Sequence, residues 1–77
     1  METYNARIIY ATTNEGVERI TKEGFSTAKK ATEWLSEKMV WFMMHWADIN
    51  PNGFVVDAEV YTDDDTFSDL YEFHFGL

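Results

Sequence analysis

The chain has 77 residues, no cysteine and a formal net charge of −8. That length is near the lower limit for a core that folds without staples, and the missing cysteines exclude disulfides and thiolate metal sites. Stability must come from apolar burial, for which three Trp, four Tyr and six Phe supply much area per ordered residue.

The charge is unevenly placed. Residues 1–38 hold all six Lys and Arg beside six acids, whereas residues 39–77 hold eight acids and no Lys or Arg. Nucleic acid and anionic membranes demand a basic face, so this balance argues against both and favours a basic partner or a merely solvated acidic surface. No apolar run approaches the roughly 18 residues of a membrane span. The opening METYNARIIYA lacks the basic start and small-residue cleavage site of a signal peptide, so a cytoplasmic protein is expected.

Tyr4 to Thr13 alternates, with Tyr4, Ala6, Ile8 and Tyr10 on one side and Asn5 and Arg7 on the other. Ile9 and Ala11 interrupt the polar side, which predicts a strand partly covered on both faces. Thr13-Asn14-Glu15-Gly16 is turn chemistry for a hairpin. Val17 to Lys22 reads as a weaker returning strand, and Arg19 and Lys22 suit an edge. Gly24 punctuates, Phe25 anchors, and Ser26 or Thr27 is placed to cap a helix.

That helix, Ser26 to Asp48, carries Ala28, Ala31, Leu35, Met39, Phe42 and Trp46 at spacings of three and four. Asn50-Pro51-Asn52-Gly53 stops it. Phe54 to Thr62 alternates as a third strand, with Phe54, Val56, Ala58 and Val60 inward. Asp63-Asp64-Asp65 turns the chain, and Thr66 to Phe75 returns with Phe67, Asp69, Tyr71, Phe73 and Phe75 on one face. Asp69 is expected near the open end of that strand. The prediction is a single α+β domain over 1–77, one long helix on a four-stranded antiparallel sheet in the order ββαββ.

The stretch Val40 to Trp46, VWFMMHW, leaves the helix almost no polar side. Either the sheet curls around it, or Trp34, Trp41 and Met44 stay open to a partner or to a second copy in a homodimer. His45 and His74 are the only general-base candidates near neutral pH. Neither has a nucleophile pattern nearby, so structural histidines and no catalysis are expected. Residues 48–59, running from Asp48 through Asn50, Asn52 and Gly53 to Glu59, satisfy the spacing of a calcium loop and resemble an EF-hand loop. The segment after Glu59 reads as a strand rather than an exiting helix, so the alternative of an ordinary turn stands beside it. No metal or cofactor is expected.

Asp57, Glu59, Asp63, Asp64, Asp65, Asp69 and Glu72 lie along one predicted hairpin, where carboxylates are able to mimic spaced phosphates. In size, acidity, lack of cysteine and element order the chain resembles small phage-encoded inhibitors of host defence, including anti-CRISPR proteins and DNA mimics. That resemblance implies a non-catalytic protein that occludes a basic, nucleic-acid-binding surface of a host protein. The segment KEGFSTAKKATEWL separately resembles the strand-into-helix junction of integrase arm-binding domains, which present a basic three-stranded sheet to DNA. On the first reading the seven carboxylates steer and position the partner, and Trp41 adds apolar affinity.

Overall fold

The computed structural model describes residues 3–12 and 16–76. Strands β1 (Tyr4–Ala11) and β2 (Val17–Phe25) precede helix α1 (Ala28–Ile49), and β3 (Phe54–Thr62) and β4 (Ser68–Phe75) follow it. The strands form one sheet in the spatial order β2-β1-β3-β4, with every neighbour antiparallel. The expected α+β architecture is therefore the observed one. Of the predicted turn at 13–16, residues 13–15 lie outside the described residues, and the Gly16 carbonyl accepts from the Thr12 N–H at 3.0 Å.

One helix crosses one face of the sheet because alternation supplies only one continuous apolar face. Ala6 and Ile8 of β1, Phe54, Val56, Ala58 and Val60 of β3, and Phe75 of β4 are buried there. They meet Ala31, Leu35, Met39 and Phe42 of α1. Phe42 is the centre of this layer. Its ring stands edge-on to Tyr10 at 4.8 Å and lies 6.1 and 5.9 Å from Phe54 and Phe75. Among the described residues no second layer lies on the reverse face, yet β1 is partly covered there as expected, with Asn5 buried and Arg7 partly buried. Ile9 is only half-buried there and Ala11 is exposed.

The strand β2 runs three residues beyond its predicted end at Lys22. Tyr4 pairs with Phe25 and Ala6 with Lys22, so β2 holds one extra residue between these pairs. Gly24, with φ +87°, takes up that residue in a conformation that side chains disfavour. Its N–H donates to Asn5 Oδ1 at 3.3 Å. The glycine bends the strand where the sequence suggested a stop.

Thr27 is the helix cap. Its hydroxyl accepts from the Lys30 N–H at 3.1 Å. At the other end the Asn50 N–H donates to the Trp46 carbonyl at 2.9 Å, and Asn50 Oδ1 accepts from the Asn52 N–H at 3.1 Å. Among the described residues no helix is long and apolar enough to cross a membrane.

Candidate functional site

Strand register decides where the carboxylates point. Asp57 and Glu59 alternate with the buried residues of β3, so both lie on the uncovered face. Glu72 stands directly opposite Asp57, and Leu70 directly opposite Glu59. Asp69 pairs with Val60 and therefore belongs to the helix side, exposed at the start of β4. Asp63, Asp64 and Asp65 form the tip between the two strands. The hairpin thus carries its acids on one face, at its tip and at one edge.

Two of these groups are already occupied. The Arg7 guanidinium pairs with Glu59 across β1 and β3 and lies 4.9 Å over the Tyr61 ring. The second Glu59 oxygen accepts from the Ser68 hydroxyl at 2.7 Å. Glu59, expected among the partner-binding carboxylates, is therefore paired and braced within the sheet. Asp63 accepts from Asn5 Nδ2 at 2.7 Å, which satisfies a buried amide at the foot of the tip.

Asp64 orders the tip. Its carboxylate accepts from the Thr66 hydroxyl at 2.7 Å and from the Thr66 N–H at 3.2 Å. The Thr66 hydroxyl hydrogen bond, then that of Thr62, holds its pKa below the ordinary 3.8. Asp65 completes the turn with φ +61°, a region that Asp tolerates better than most residues. The tip is an ordered acidic loop.

Asp57 and Glu72 have no Lys or Arg within ion-pair distance among the described residues. Glu72 lies 3.1 Å from His74 Nε2, two residues along the same strand. Like charges directly opposite each other weaken a sheet. Beside them Leu70 is 78% exposed on the same face. Two shallow clefts flank it, one bounded by Arg7, Ile9 and Glu59 and the other by Glu72, with Asp57 on both. The uncovered face therefore presents an apolar knob rimmed by negative charge, and sequence alternation alone did not single out Leu70.

Trp41 is elsewhere. It lies on the outward side of α1, half exposed, edge-on to Phe42 at 5.4 Å and 4.8 Å from His45. The core and the sheet separate it from Asp57 and Glu72, so the expected joint surface of Trp41 with these acids does not form. Val40, Met43 and Met44 are exposed with it, because the sheet does not curl around this half of the helix. Trp34 leaves that group. It packs 6.2 Å from Phe25 with the Lys38 ammonium 5.5 Å over its ring.

The calcium-loop spacing is not folded as a loop. Asp48 lies in the last turn of the helix, Asn50 is its C-cap, and Glu59 stands in β3, about 17 Å along the strand from Phe54 at about 3.3 Å per residue. Among the described residues no group of three or more His, Cys, Asp or Glu is placed to hold a metal ion. His74 is exposed on the uncovered face rather than set among apolar neighbours, while His45 is partly buried beside Trp41. Compared with protein-family models, curated proteins and solved structures, the chain matches none.

Proposed function

We propose that this chain is a non-catalytic binding protein that covers a basic surface of a partner protein with the uncovered face of its β3–β4 hairpin. The observation that carries the reading is the Asp57–Glu72 pair. Two carboxylates are held directly opposite each other with no Lys or Arg partner among the described residues, Glu72 meeting only the His74 imidazole, an arrangement that opposes folding. Groups kept at a cost to stability are characteristic of binding surfaces. Leu70 beside them, opposite Glu59, supplies apolar contact, and the tip carboxylates extend the negative field along the hairpin. A partner that normally holds nucleic acid fits this chemistry, in the manner that the resemblance to DNA-mimic inhibitors implies.

The test is affinity capture from a cell lysate with the wild-type chain and with a double variant, Asp57→Lys with Glu72→Lys. The wild type is expected to retain basic nucleic-acid-binding proteins that heparin displaces and raised salt releases. Equal capture by the charge-reversed variant contradicts the proposal.

A second reading is a homodimer through α1, favoured by exposure of Val40, Trp41, Met43 and Met44 on one side of the helix. It predicts a sedimentation mass that doubles with concentration and reverts in Met44→Glu. A mass independent of concentration removes it. The net charge of −8 opposes such pairing at low salt.

A further inference from the structure

The two edges of the sheet are unlike. The β2 edge carries Arg19 and Lys22 and is bent at Gly24, all devices that discourage the addition of another strand. The β4 edge, Ser68–Phe75, has no Lys, no proline and an unbroken register with β3. Alternate residues of β4 turn their N–H and C=O groups outward, and among the described residues no strand receives them.

A cleft of about 200 Å³ lies on the helix side of the sheet at this edge, between α1 and β4. Leu35 and Met39 line it from the helix and Tyr71 and Phe73 from the strand, with Thr32 and Ser36 also on its wall. It is smaller than the roughly 300–1,000 Å³ of small-molecule pockets but suits side chains entering from a neighbouring strand. On the opposite side of the same strand stand Leu70 and Glu72, with Asp57 one strand inward.

We infer that the β4 edge receives an extended segment of the partner as a fifth strand, and that this segment alternates apolar and basic residues. Successive side chains of an added strand point to opposite faces. Its apolar residues would enter the cleft beside Leu35 and Phe73, and its Lys or Arg residues would reach Glu72 and Asp57. Asp69 and Glu72 repel a second copy of this acidic chain at the same edge while attracting a basic one. The inference rests on the acidic-surface reading and adds a backbone geometry to it.

Three short synthetic peptides separate the two. One alternates lysine and valine, one has the same composition in two blocks, and one alternates with every second backbone nitrogen methylated on the edge facing β4. Calorimetry is expected to show the alternating peptide binding roughly ten-fold more tightly than either control, with amide exchange slowed in Leu70–His74. Glu72→Lys is expected to remove most of that affinity. Equal affinity for the alternating and block peptides overturns strand addition and leaves the acidic-surface reading standing. Slowed exchange confined to β2, or β4 protection that grows with protein concentration in the absence of peptide, also overturns it. Failure of all three peptides to bind overturns both readings.

Discussion

Asp57 and Glu72 concentrate the argument at the scale of single residues. Each is exposed, and each faces a like charge across the β3–β4 register. Replacing Asp57 by Asn removes the repulsion and keeps the shape, so urea unfolding should show a gain of a few tenths of a kcal/mol. A loss of stability would mean that Asp57 is tied into the fold in some other way. Asp64 offers a pH test. Its folded pKa is depressed, first by the Thr66 hydroxyl, so its contribution is present above the unfolded value and disappears as pH falls through the lower folded value. Carboxyl carbon NMR titration of Thr66→Ala should move the Asp64 midpoint upward, and an unmoved midpoint would show that this hydroxyl does not set it. Gly76 is a structural counterpart. With φ +72°, a methyl group there would collide with the Trp46 ring, so Gly76→Ala should lower the melting temperature and free Trp46, visible in its fluorescence.

At the scale of elements, helix α1 is stabilised by packing rather than by its ends. Its first turn holds no acid and its last turn no base, the reverse of what the helix dipole favours. Lys30 lies three residues after the cap Thr27, so Lys30→Glu creates a capping box and should stabilise the protein by about 0.5–1 kcal/mol in thermal unfolding. No gain would show that the first turn is fixed by other contacts. Much of the element level was legible in the sequence. The stripe through Leu35, Met39 and Phe42 and the alternation in Phe54–Thr62 state their own periods, because each buries one side only. The end of β2 was not legible. Gly24 reads as punctuation until the pairing of Tyr4 with Phe25 shows that it absorbs an extra residue within a continuing strand.

At the scale of the whole molecule, one helix covers one face of a four-stranded sheet, and among the described residues nothing is layered on the reverse face or paired with the β4 edge. The excess of acid in residues 39–77 was visible in the sequence, but its distribution was not. Register is needed to see that Asp57 meets Glu72 and that Arg7 neutralises Glu59, whereas alternation already put Asp69 on the face of Tyr71 and Phe73. Trp41 looked like part of the same surface because sequence distance carries no information about which layer a side chain joins. Leu70 went unremarked although alternation put it on the face opposite Tyr71 and Phe73, because its exposure depends on the reverse face staying uncovered. The most direct measurement is backbone amide exchange along the whole chain, with and without a basic protein captured from lysate. The account predicts slowed exchange in Leu70–His74 and around Asp57, with Val40–Met44 unchanged. Protection confined to the helix, leaving β4 as it was, would contradict it.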